Sequence, residues 1–239
     1  MKMLVATSSQ YSFLLEAFVT LYQKYWPGQE VVFLGFDECE FAPLPDGFDF
    51  VSLGKQADFG RRWTDPLIPY IKSLEDEYFG FTVEDVVLID HVDQEKVDLL
   101  EKCVKEGAHK AHLDNSLQNR CTPYKEGLLA AKQNASYRTS LAPSIWRKEY
   151  FLKFLKPGYT AWDFELKNMG ESYDDGALIL SLDQPDDLYY NCNVFFKGQP
   201  IPRPWCGRLY GTSTDIIPHP EDIDYLLAYL QDHKDKQRL

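Results

Sequence analysis

Apolar positions along the first half of the chain switch repeatedly between short continuous runs and helical spacing. Lys2 to Ala6 read as a buried strand, broken by the polar Thr7-Ser8-Ser9-Gln10. Leu14, Ala17, Phe18, Leu21, Tyr22 and Tyr25 then recur at helical spacing until Pro27-Gly28 stops the helix. Val31 to Phe36 and Phe48 to Leu53 predict two more strands. Leu67, Ile68, Ile71, Leu74 and Tyr78 mark a helix, Val86 to Ile89 a fourth strand, and Val97, Leu100 and Val104 a helix ending at Gly107. The second half is less regular. It predicts a helix over Arg147 to Leu155 stopped by Pro157-Gly158, and another from about Asp163. Strands at Ala177 to Leu182 and Tyr189 to Phe196 follow, then a Pro-rich loop and a closing helix at Glu221 to Gln231.

Short apolar strands alternating with amphipathic helices predict an α/β fold with a mostly parallel central sheet, Rossmann-like and flanked by helices. The irregular α+β C-terminal half is expected to share that sheet. The chain therefore reads as one domain over 1–239, with a nucleotide-binding half (1–115) and an acceptor half (116–239).

Composition narrows the partners. The 239 residues carry 25 basic and 37 acidic side chains, a formal charge of -12, which repels nucleic acid and anionic lipid surfaces. No apolar run is long enough for a membrane span or a signal-peptide core, so a cytoplasmic location without membrane insertion is expected. The five scattered cysteines form no CxxC pair or zinc spacing and read as reduced thiols. The sequence does not set the oligomeric state.

In open parallel sheets, ligands bind beyond the carboxyl ends of the strands, and three such ends stand out. Thr7, Ser8, Ser9 and Tyr11 offer hydroxyls and free N–H groups suited to a nucleotide, or else Ser8, Ser9 or Ser12 caps the helix. Asp90-His91-Val92-Asp93 can hold Mg²⁺ or Mn²⁺ against a diphosphate, with Asp90, His91 and Asp93 as ligands. The alternative makes Asp90 a turn cap and Asp93 a first-turn acid. In Ala161-Trp162-Asp163-Phe164-Glu165, one carboxylate walled by aromatics is suited to be a general base, and Trp162 can stack on a sugar. The alternative is an acidic N-cap with Trp162 and Phe164 in the core. Positions i and i+2 of a helix diverge, so at most one of Asp163 and Glu165 faces a site. Arg61, Arg62 and Trp63 are the best local clamp for a diphosphate in so acidic a chain. No P-loop, GxGxxG, GxSxG or HExxH is present.

The order of these segments resembles a group of GT-A-like glycosyltransferases from bacterial and phage genomes. The likeness runs through LVATSSQYSFLLEAFVTLYQKYWPGQEVVFLGF, WTDPLIPYIKSL, VVLIDHVDQEKVDLLEKCVKEGA, YRTSLAPSIWRKEYFLKFLKPGYTAWDFE and YYNCNVFFKGQ. It covers most of the chain to about residue 200 and is most specific from Ser140 to Glu165. That group carries two adjacent acids and an aromatic after an apolar strand. Asp90 matches the first acid, His91 stands at the second, and Asp93 or His91 is left to complete the ion's ligands. Trp162 and Glu165 match the tract ending W-x-F-E. The resemblance implies a GT-A fold and transfer of a sugar from a nucleotide-sugar donor to a glycan or other hydroxyl acceptor, assisted by Mn²⁺ or Mg²⁺. Asp163 or Glu165 would be the base, and Trp162, Trp146 and Arg138 would meet the substrate. Two alternatives stay open: a non-catalytic sugar-binding or assembly protein of the same fold, and a nucleotidyltransferase, which the absence of glycine in TSSQYS disfavours.

Overall fold

The computed structural model describes residues 1–114, 116–183, 191–196, 199–206 and 219–237. The strands are β1 (Met3–Ala6), β2 (Val31–Gly35), β3 (Phe48–Ser52), β4 (Tyr78–Val83), β5 (Val86–Leu88), β6 (Lys110–His112), β7 (Cys121–Lys125), β8 (Leu128–Ala131), β9 (Ser144–Arg147), β10 (Ile179–Leu182), β11 (Asn191–Phe196) and β12 (Gln199–Cys206). The helices are α1 (Leu15–Tyr25), α2 (Gln56–Phe59), α3 (Thr64–Ser73), α4 (Gln94–Lys105), α5 (Lys148–Phe154), α6 (Ala161–Lys167) and α7 (Pro220–Gln237).

Among the described residues, nine strands form one sheet in the order β3-β2-β1-β4-β9-β6-β10-β8-β7. β1 pairs in parallel with β2 and β4, β2 with β3, and β6 with β10. β9 runs against both β4 and β6, and β7 and β8 close the far edge antiparallel. Every residue of β1 is buried, as a central strand covered on both faces requires. Met3 and Val5 face a core covered by α1, α4 and α7, while Leu4 and Ala6 face a second core under α3, α5 and α6. The period-2 alternation of strand side chains thus builds a three-layer α/β/α body.

Two elements differ from the sequence reading. The helix predicted through Tyr78 ends at Ser73, and Tyr78 instead opens β4. Phe79 and Phe81 alternate with Gly80 and Thr82, a strand period hidden by the helical run before it. The expected Pro-rich loop contains β12, which pairs with β11 at the edge of a three-stranded sheet (β12-β11-β5) where missing N–H groups are tolerated. Tyr189 and Tyr190 of the predicted last strand lie outside the described residues. No helix among the described residues is long and apolar enough to cross a membrane.

Candidate active site

The winding reverses between β1 and β4: β2 and β3 extend the sheet to one side of β1, and β4 begins the other. Such a switch point opens a crevice beyond the strand ends. Thr7 and Ser8 leave β1 there, and the Glu84 N–H donates to the Ala6 carbonyl at 3.2 Å, closing β4 beside them. Glu84 and Asp85 form the turn at the tip of β4. The Glu84 side chain is buried, and burial followed by the charge of Asp85 pushes its pKa well above the carboxylate range. Hydrogen bonds from the Ser8 N–H and the Thr7 hydroxyl oppose that shift. Asp85, half-buried, is raised to about 6 by burial and then by the charge of Glu165.

Glu165 reaches this edge from α6. Thr160 caps that helix in a reciprocal capping box with Asp163, whose carboxylate also pairs with Lys167 at 2.8 Å. The Lys167 contact, then the Thr160 N–H, hold Asp163 down to about 2. Asp163 is thus committed to its own helix as an acidic cap. Two residues on, Glu165 diverges as helical geometry demands. Its Oε1 accepts the Leu141 N–H at 2.6 Å, and burial raises its pKa against that bond and the nearby Lys110 charge. Between them Phe164 is fully buried against Trp63, Trp146 and Phe151. Trp162 is 53 % exposed, outside the core.

The loop after β1 supplies the rest. Tyr11 lies near both Glu84 and Asp85; burial and then their charges raise its hydroxyl pKa, while Arg61 lowers it. Ser9 donates to the Asp37 carboxylate at 2.6 Å, and its N–H to Gln56 Oε1 at 3.4 Å. Asp37, just past β2, has φ of 58°, a left-handed conformation that Asp tolerates better than most residues. No side chain caps the first turn of the following helix, so Ser8, Ser9 and Ser12 are not spent in that way. Arg61 is exposed, and its side chain has no hydrogen-bond or ion-pair partner among the described residues. Arg62 is tied to Asp65 and to the Asp58 and Phe59 carbonyls. Trp63 packs edge-on against Phe81 and Phe164.

Asp90, His91 and Asp93 are not brought to this crevice. After the Glu84-Asp85 turn the chain runs back through β5, and the Val92 N–H donates to the Tyr25 carbonyl at the far end of α1, by the opposite edge of the sheet. There the Asp90 carboxylate accepts the His91 N–H and meets His219 at 3.4 Å. Asp93 caps α4 by accepting the Lys96 N–H. Arg138 and Trp146 are fully buried. Each guanidinium nitrogen of Arg138 is spent on Ser172, Lys132, Gln133, Asp175 or Ala177. Among the described residues, no group of three or more His, Cys, Asp or Glu stands together as a metal cage.

Sequence reasoning missed Glu84, Asp85 and Asp37. A signal for the first two was present: two adjacent acids follow an apolar strand at Glu84-Asp85 once β4 is recognised, although Val86 stands where the resembling group has an aromatic. Asp37 gave none, because its value lies in a contact with Ser9, 28 residues away.

The architecture is a GT-A-like fold, mixed α/β around a large, mostly parallel sheet flanked by helices. Among solved structures it resembles S. aureus TarS, with a TM-score of 0.53 and 16 % identity over 79 % of this chain. The chain spans 36 % of TarS. More distant likenesses are the galactosyltransferase LgtC in complex with donor and acceptor sugar analogs and the bifunctional IspDF of Campylobacter jejuni. LgtC has a TM-score of 0.41 and 13 % identity, over 77 % of this chain and 68 % of that one. IspDF has a TM-score of 0.41 and 12 % identity, over 76 % and 48 %. No protein-family model matches the chain, and no curated protein matches its sequence.

Proposed function

We propose that the chain is a glycosyltransferase that moves a sugar from a nucleotide-sugar donor to a hydroxyl of a glycan or related acceptor. The observation that carries this reading is the convergence of Glu84, Asp85 and Glu165, with Tyr11 and Arg61, at the switch point of a GT-A-like sheet.

In this mechanism the loop from Thr7 to Tyr11 and Asp37 hold the nucleoside, and Arg61 meets the diphosphate. Asp85, with Glu84, would hold a Mn²⁺ or Mg²⁺ ion. The donor set fits, since such ions on a diphosphate take one or two protein carboxylates and fill the rest of their shell with phosphate oxygens and water. A bound ion there would offset the charge that grows on the departing diphosphate. Glu165 takes the proton from the acceptor hydroxyl as the new C–O bond forms and the sugar–phosphate bond breaks, a direct displacement that inverts the sugar carbon. Burial suits Glu165 to this role, because a carboxylate poised toward neutrality is a better base than one held at its ordinary pKa. Exposed Trp162, three positions away on the same short helix, offers the acceptor sugar a face to stack on.

The test is a thermal-shift panel of UDP, GDP, CMP, dTDP and their common sugar conjugates, with and without Mn²⁺. It is run on wild type, Asp85→Asn and Asp90→Asn. The expected result is stabilisation by one nucleotide that depends on Mn²⁺, is lost in Asp85→Asn and is kept in Asp90→Asn. No shift with any nucleotide in a folded sample overturns the glycosyltransferase reading. A shift lost only in Asp90→Asn overturns the placement of the site.

A further inference from the structure

Lys110 is a fully buried lysine on β6, two strands away from β4. Its Nζ donates to the Ser140 carbonyl at 2.8 Å and to the Arg138 carbonyl at 3.3 Å, and sits 4.1 Å from the centre of the Trp146 ring. The Ser140 carbonyl belongs to the same peptide unit as the Leu141 N–H, which donates to Glu165 Oε1 at 2.6 Å. One planar amide therefore joins the two side chains: Lys110 grips its oxygen and its hydrogen grips Glu165. Because a peptide is rigid, fixing the oxygen fixes the direction of the N–H. The segment is held further by the Arg138 guanidinium and by the Thr139 hydroxyl, which donates to the Glu165 backbone carbonyl at 3.1 Å.

We propose that Lys110 is a positioning residue for Glu165, aiming the Ser140–Leu141 peptide so that its N–H orients the carboxylate toward the crevice. This deepens the reading of Glu165 as the acceptor base and rests on it. Both protonation states of the amine carry at least two N–H donors, so the two carbonyl contacts persist in either. Burying a lysine for packing alone is costly, and an apolar side chain of similar length would fill the space better. Polarisation along the lysine–peptide–carboxylate chain also strengthens the second hydrogen bond.

The test uses the free protein first. In a sample with ¹⁵N-labelled leucine, the Leu141 amide resonance reports the bond to Glu165 directly. Glu165→Gln is expected to move the proton resonance upfield. Lys110→Met, close in volume, is expected to move it the same way. In turnover, nucleoside diphosphate release from the donor panel should show kcat of Lys110→Met falling about tenfold or more. KM for the donor should stay within about twofold, and Lys110→Met/Glu165→Gln should be no slower than Glu165→Gln alone. If Lys110→Met does not fold, Lys110→Gln, which keeps a donor, is expected to shift the amide less and to retain more turnover. An unmoved Leu141 amide with unchanged kcat, or a loss of melting temperature alone, overturns the proposal. A moved amide in both single variants with normal turnover in Glu165→Gln leaves the coupling intact and removes Glu165 as the base.

Discussion

The Ser9 hydroxyl donates to the Asp37 carboxylate at 2.6 Å, tying the loop after β1 to the loop after β2 across the mouth of the crevice. Ser9 has one hydroxyl hydrogen, and spending it on Asp37 leaves the second Asp37 oxygen to accept from a ligand. A charged acceptor facing a ribose or base is worth about 1.5–3 kcal/mol. Asp37→Ala is therefore expected to weaken nucleotide binding by roughly ten- to a hundredfold by calorimetry. Only a modest loss of stability is expected, because the contact with Ser9 is exposed, while Ala tolerates φ of 58° less well than Asp. Unchanged affinity would remove Asp37 from the site.

Asp85 gives a pH-dependent expectation. Its pKa is about 6 in the native state against 3.8 as the reference. The native state thus binds its proton more tightly than the unfolded chain does. Stability from this group is complete below about pH 4 and falls as pH rises to about 6, then stays flat. A shift of that size is worth about 3 kcal/mol if fully felt, and less for a half-buried carboxyl. Asp85→Asn escapes the penalty. It is expected to melt at the same or a higher temperature than wild type at pH 7.5, with the gap closing below pH 4, while transfer is lost. A lower melting temperature at pH 7.5 would make Asp85 a structural residue.

Asp163 and Glu165 are two residues apart, and the sequence could not choose between them. The structure separates them by what each carboxylate touches. Asp163 closes the capping box and pairs with Lys167, so Asp163→Asn is expected to lower the melting temperature and leave kcat within about twofold. Its pKa is lowered, so its contribution is present at neutral pH and is lost only as pH falls from about 4 toward 2. Glu165→Gln is expected to do the reverse: nearly full stability, since an amide oxygen still accepts from Leu141, and kcat down by about a hundredfold or more. Equal losses of turnover in both would show that the helix, not one carboxylate, matters.

How much of this could be read from the chain depends on the range of the interaction. The buried strands, the helices under them and the acidic tract at residues 161–165 announce themselves through local periodicity. The carboxyl edge of β4 did not, because the apolar period of α3 ran on to Tyr78 and hid the start of the strand. With that boundary misplaced, Glu84-Asp85 went unread and the sequence reading settled on Asp90-His91, which lies toward the other edge of the sheet. Burial of Arg138 and Trp146 was likewise invisible: an arginine in an acidic chain looks like a ligand clamp until its partners are seen to be backbone carbonyls and the buried Asp175 carboxylate. The Lys110–peptide–Glu165 link spans three separate segments and has no local signature at all.

Arg61 and Arg62 are adjacent, exposed and of equal charge, yet the structure divides them. Arg62 spends its guanidinium on Asp65 and two carbonyls of its own loop. Arg61 has no such partner among the described residues, and its charge is felt at Tyr11 beside the two acids. A free guanidinium in this position meets a diphosphate bidentately, an interaction screened by salt. Arg61→Ala is therefore expected to weaken donor binding about tenfold at low ionic strength and visibly less in 0.5 M salt, on the order of threefold. Arg62→Ala should leave donor affinity within about twofold at both, and increase proteolysis in the loop from Asp58 to Asp65. The two variants are compared by titration of the nucleotide found in the thermal-shift panel. If Arg62→Ala proves the more damaging to affinity, and the effect is salt-sensitive, the loop turns over on binding and Arg62 is the residue that meets the phosphates.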